Sequence, residues 1–129
     1  MLAIDTNIIV RYVVGDGGDQ FARAVDILER HDVSIALTVI LETEWVLRDA
    51  YEYGREEVLS ALGKVFGLPS VTVGDEGVVR NAIALAASGL DFADALHLAQ
   101  ASDCEAFVTF DKNLVRRAKP LQGVTARLA

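Results

Sequence analysis

The chain opens on three apolar residues, Leu2-Ala3-Ile4, and turns polar at once with Asp5-Thr6-Asn7. This predicts a buried strand over residues 2–5 that stops where the next element begins. Thr6 to Val14 is too long to continue it and predicts a helix capped by Thr6 or Asn7. Gly15-Asp16-Gly17-Gly18-Asp19 is a loop. Gln20 to His31 carries Phe21, Ala24, Val25 and Leu28 at helical spacing, and Val33 to Ala36 alternates as a strand does. Thr38 stands where an N-cap would, ahead of a helix reaching about Tyr53 that Gly54 closes. Arg55 to Phe66 is the next helix. Pro69 breaks the pattern before a strand at Val71–Val73. Asp75 to Ser88 and Asp91 to Asp103 read as helices separated by Gly89. Ala106 to Phe110 is a fourth strand, Asp111 to Lys119 a short basic helix, and Val124 to Leu128 a candidate fifth strand.

Strands alternating with helices predict an α/β fold: three layers, α/β/α, with a central mostly parallel sheet of four to five strands. No internal repeat or low-complexity segment marks a boundary, so residues 1–129 are expected to form a single domain.

Composition narrows the partners. With 52% hydrophobic residues in 129, the chain has apolar surface to spare, and a homodimer or partner interface is the expected use for it. The net charge of -7 counts against a simple module that grips phosphates. It does not count against a metal-dependent nuclease, where bound cations supply positive charge locally. Cys104 is the one cysteine, which leaves no intramolecular disulfide and no multi-cysteine metal knuckle. A reducing cytoplasm is the expected compartment. The N-terminal residues do not read as a signal peptide, and no apolar run approaches a membrane span.

The candidate chemistry lies in the acids. Asp5 and Asp111 each follow an apolar strand and precede a helix, which predicts a place at the carboxyl edge of the sheet, where ligands bind. Helix capping explains either one equally well. Glu42 has Thr38, Val39, Trp45 and Val46 as helical neighbours, a poor setting for a merely solvated carboxylate. Glu44 points elsewhere and is expected to form a surface pair with Arg48 at i+4. Asp91 and Asp94 share a helix face; Asp91 suits a cap, and Asp94, set deeper, is the better ligand. His31 is expected at a helix end or the surface, and His97 as a partly buried structural residue. Asp5, Glu42, Asp94 and Asp111 together form a hard-oxygen set without a His or Cys cluster, which suits Mg²⁺ or Mn²⁺ rather than zinc.

Ile4-Asp5-Thr6-Asn7, Leu41-Glu42-Thr43-Glu44-Trp45-Val46-Leu47, Asp91-Phe92-Ala93-Asp94-Ala95-Leu96 and Val108-Thr109-Phe110-Asp111 resemble, in order, the four acidic motifs of the PIN domain. Length and order are similar to the VapC-type toxins of bacterial and archaeal toxin–antitoxin pairs. The resemblance implies a metal-dependent endoribonuclease that uses one or two Mg²⁺ or Mn²⁺ ions. It also implies a homodimer inhibited by a cognate antitoxin. The family's acids fall on Asp5, Glu42, Asp94 and Asp111, with Asp91 at a position often acidic and Thr6, Asn7 and Thr109 at accessory polar positions. Asp5 and Asp94 are the expected central ligands. Lys112, Arg116, Arg117 and Lys119 place 4 of the 12 basic residues beside Asp111, where they could contact RNA phosphates or simply favour a helix C-terminus.

Two other readings remain open. The residues alone do not separate RNA from DNA. A non-catalytic interaction module could instead dock a partner around Trp45, Tyr51, Tyr53, Val58 and Leu59, although core packing explains most of those. A phosphatase with a second Asp two residues after Asp5 is disfavoured, because position 7 is Asn.

Overall fold

A computed structural model describes residues 1–121 and 123–129. Contacts group the chain into two compact units, Met1–Glu76 and Gly77–Ala129.

The first unit begins with β1 (Leu2–Ala3), followed by α1 (Thr6–Val14), α2 (Gly18–Arg30), β2 (Val33–Ile35), α3 (Leu37–Asp49), α4 (Arg55–Phe66) and β3 (Val71–Val73). Its three strands run parallel in the order β1-β2-β3, with Leu2 opposite Val33 and Val33 opposite Val71. The central strand is the buried one: Val33 and Ile35 are fully shielded. A parallel strand between two neighbours has both backbone edges paired, and apolar side chains can then fill its surroundings. Helix α1 packs on α2 and α3, and α3 packs on α4. Ile9 and Val10 of α1, Leu28 of α2, Ile40 and Leu47 of α3, and Leu62 of α4 are buried in the core. The predicted spacing of α2 holds, with Ala24 and Leu28 buried and Phe21 and Val25 half-buried.

Several boundaries differ from the sequence expectations. The first strand stops at Ala3, because Asp5 is already the N-cap of α1. Thr6 and Asn7 are therefore inside the helix, not its cap. Helix α3 is capped by Ala36, without a side-chain cap bond, and Thr38 is its second residue. The helix ends at Asp49 rather than near Tyr53. Gly54 does not close α3; it opens α4, where its N–H donates to Glu57 Oε1 at 3.0 Å.

The second unit contains α5 (Glu76–Ala87) from its second residue on, α6 (Phe92–Gln100), β4 (Phe107–Thr109), α7 (Lys112–Ala118) and β5 (Ala126–Leu128). Strands β4 and β5 form a parallel pair with Val108 opposite Arg127, and α7 packs against β5. Leu85 of α5, Phe92, Ala95 and Leu98 of α6, and Leu114 of α7 are buried. Helix α6 ends at Gln100, short of the expected Asp103. Five strands and seven helices, among the described residues, make this an α/β chain with every strand pair parallel. The strands fall into a three-stranded and a two-stranded sheet.

Candidate active site

In the first unit the turn from β1 into α1 fixes two acids through one threonine. Asp5 caps α1: the Thr6 N–H donates to Asp5 Oδ1 at 2.7 Å. An Asp at this position satisfies one of the amide groups that the first turn leaves unpaired. The Thr6 hydroxyl donates to Glu42 Oε1, linking α1 to α3. Thr6 is buried, whereas Asp5, Asn7 and Glu42 are exposed. Residues 36 positions apart thus meet at one hydroxyl.

Glu42 is not enclosed by apolar neighbours, as its helical surroundings suggested. Helix α3 buries the face of Ile40, Thr43, Glu44 and Leu47, so the face carrying Thr38, Glu42 and Trp45 is exposed. The same rotation overturns the expectation for Glu44. Glu44 does pair with Arg48, at 3.0 Å, but it is 6% exposed and not a surface carboxylate. Of the apolar side chains considered for partner docking, Val58 is core, Tyr51, Tyr53 and Leu59 are half-buried, and only Trp45 is exposed.

In the second unit Asp91 caps α6, accepting the Asp94 N–H at Oδ2, 3.4 Å. Asp111 caps α7, accepting the N–H groups of Asn113 and Leu114 at Oδ1, 2.9 and 3.0 Å. Capping and ligand binding are compatible here. Each cap bond occupies one carboxylate oxygen, and the second oxygen of Asp5 and of Asp111 carries no protein hydrogen bond among the described residues. Thr109 Oγ1 accepts the Asp111 N–H at 3.0 Å and steadies the turn from β4 into α7.

Asp94 is half-buried on the first turn of α6. Burial pushes its carboxyl above the usual aspartate range, and the charges of Asp91 and Asp111 push it further; His97 pulls weakly the other way. Like charges close together disfavour ionisation. Asp91 and Asp111 are therefore near enough to Asp94 for their charges to act on it. No ion pair to Lys or Arg relieves any of the five candidate acids among the described residues. His97 is not a partly buried structural residue: it is exposed, with its ring stacked on Phe107 at 6.1 Å.

The donors are hard carboxylate and hydroxyl oxygens, which fits Mg²⁺ or Mn²⁺ chemistry. The repulsion on Asp94 is of the kind that a divalent ion would relieve. No group of three His, Cys, Asp or Glu side chains is gathered tightly enough to hold a metal ion as it stands, among the described residues.

The basic residues beside Asp111 are all exposed. Arg117 Nη1 donates to the Gly89 carbonyl at 3.3 Å, and Arg116 donates to the Asn113 side chain. Lys112 opens α7, and Lys119 is its C-cap. The sequence reading gave no role to Phe110, which stands fully in solvent between Thr109 and Asp111. The alternation of β4, with Phe107 and Thr109 half-buried, was the available signal.

No curated protein matches the chain at a significant level. The PIN domain family matches residues 2–120, a span that contains every candidate acid and both accessory threonines. Seven helices with parallel strands are the elements of the three-layer α/β/α fold that this family implies. PIN domains have a nuclease-type fold and typically depend on a divalent metal. On a match of this length the chain belongs to the PIN domain family.

Proposed function

We propose that the protein is a Mg²⁺- or Mn²⁺-dependent endoribonuclease, the toxin of a type II toxin–antitoxin pair, active in the cytoplasm. The observation that carries the reading is the PIN domain match over residues 2–120, which spans all five candidate acids. Asp94 adds to it: burial and the charges of Asp91 and Asp111 raise its carboxyl, and His97 lowers it in part. A carboxylate perturbed by burial and by like charges is a candidate for a functional site.

Asp5 and Asp94 would hold the ion, and Glu42, Asp111 and Asp91 would bind it directly or through water. A divalent ion supplies positive charge against the scissile phosphate and a more acidic water. The chain's own groups do the positioning. The Thr6 hydroxyl holds one oxygen of Glu42, the cap bonds hold one oxygen each of Asp5 and Asp111, and Thr109 fixes the Asp111 backbone. Asn7, exposed beside Thr6, is available to orient water. Lys112, Arg116, Arg117 and Lys119 contact the RNA backbone, which an acidic protein must hold through a local patch.

The antitoxin and a second copy of the chain are the proposed protein partners. A cleft of about 640 Å³, lined by Tyr12, Phe21, Tyr53 and Val65 together with Glu29 and Lys64, supports docking of a segment with both apolar and charged side chains. Trp45, 53% exposed, supports a further interface.

Cleavage of a labelled oligoribonucleotide tests the function. Cleavage is expected with Mn²⁺ or Mg²⁺, and neither with EDTA nor in Asp5→Asn. Activity that persists in Asp5→Asn would overturn the assignment. An oligodeoxyribonucleotide cut equally well would move it from RNA to DNA.

A further inference from the structure

We propose that Phe110 is a stacking platform for a base of single-stranded nucleic acid, next to the acid that opens α7. The inference rests on the nuclease reading and adds the form in which the substrate is bound. Phe110 is 88% exposed, more than any other large apolar side chain among the described residues. It is also held in place. Its preceding residue, Thr109, accepts the Ala129 N–H at its carbonyl (2.9 Å) and the Asp111 N–H at its hydroxyl (3.0 Å). The residue after it, Asp111, is anchored to two amides of α7. A phenyl ring has two side-chain torsions, so on an anchored backbone it offers a flat face at small entropic cost.

The surroundings specify the ligand. Successive side chains of a strand alternate sides, and Val108, 49% exposed, lies on the Phe110 side of β4. Arg127 is opposite Val108 in the parallel register and is exposed, which puts a cation on the same side. Lys112 follows Phe110 by two residues, and Arg116 and Arg117 lie further along α7, all exposed. One aromatic face bordered by cations matches a single strand, whose bases present π-faces and whose phosphates carry negative charge. A duplex keeps its bases stacked on one another and has no free face to offer. A protein partner would be matched by a broader apolar surface, and here the exposed apolar residues give way to Arg127 and Lys112 within a few positions.

The test compares Phe110→Ala and Phe110→Trp with the parent protein. Binding of a fluorescent mixed-sequence oligoribonucleotide is read by anisotropy, with Asp94→Asn in every protein to stop turnover. Cleavage kinetics are read without that change, and oligomeric state by sedimentation. Phe110→Ala is expected to weaken single-strand binding on the order of tenfold and to raise KM more than it lowers kcat. Phe110→Trp should retain binding, with fluorescence quenched on addition of the strand. Annealing the complement should abolish the difference between Phe110 and Ala. Equal single-strand binding by Phe110→Ala would overturn the platform and leave the nuclease reading standing if the parent still cleaves. A parent that neither binds nor cleaves RNA would overturn both. Loss of a dimer in Phe110→Ala, with binding per subunit unchanged, would assign the ring to a subunit interface instead and overturn the proposal.

Discussion

Thr6→Val removes one hydroxyl and little else. The side chain keeps its branching and volume, and it sits at the first residue of α1 with its Asp5 cap bond made by the backbone. What is lost is the bond from the Thr6 hydroxyl to Glu42. A hydrogen bond to a charged group contributes about 1.5–3 kcal/mol. Thr6 is 4% exposed, but Glu42 is in solvent and can recover a water, so the lower part of that range applies. The expected loss is about 1–2 kcal/mol, or roughly 3–10 °C in Tm for a chain of this size. Thr6→Ser restores the hydroxyl and should recover most of the loss. The effect should extend to function: with Glu42 released, Mn²⁺ should raise Tm less in Thr6→Val than in the parent. Urea and thermal unfolding with and without Mn²⁺ read both effects. The reasoning is refuted if Thr6→Val unfolds with the parent, or if Thr6→Ser falls as far as Thr6→Val.

Asp94 gives a pH prediction. Its folded-state pKa is raised, so the folded protein binds that proton more tightly than the unfolded chain does. Stability without metal should therefore fall as pH rises from the ordinary aspartate value through the raised one. Asp94→Asn should remove that component and be the more stable protein at pH 7, with the gap closing toward pH 4 in paired unfolding curves. Asp111 separates structure from chemistry. Asp111→Asn keeps a capping oxygen for Asn113 and Leu114 and should unfold near the parent while losing cleavage. Asp111→Ala should cost about 1 kcal/mol as well. Reversing charge at Arg116 and Arg117 should weaken RNA binding and flatten its dependence on log salt. An unchanged slope would leave these residues as a solvated helix face.

Much of the fold was legible wherever one signal acted alone. Helix α4 spans Arg55–Phe66 as the pattern indicated, and β3 spans Val71–Val73. The errors have specific causes. Glycine serves at either end of a helix, so Gly54 by itself fits an ending; Glu57, three residues on, is the sign that it opens α4. Ala36 has no capping side chain, which made Thr38 look like the start of α3. The burial of Glu44 could have been read, because Ile40, Thr43, Glu44 and Leu47 follow the i, i+3, i+4, i+7 rule. Charge alone suggests the surface, whereas the stripe puts this carboxylate inside. The candidate acids posed a different problem. In sequence, capping and ligation are alternatives for Asp5, Asp91 and Asp111; the structure shows capping at all three, with an oxygen to spare on Asp5 and Asp111. The Thr6–Glu42 bond joins positions 36 apart, and local sequence contains no trace of it.

Calorimetric titration of Mn²⁺ into the parent, Asp5→Asn and Asp94→Asn is the most direct measurement. Divalent-ion chemistry at these acids requires saturable binding in the parent and its loss in both variants, while each variant remains folded. Binding that survives either substitution unchanged, or a parent that takes up no ion in the presence of RNA, would contradict it.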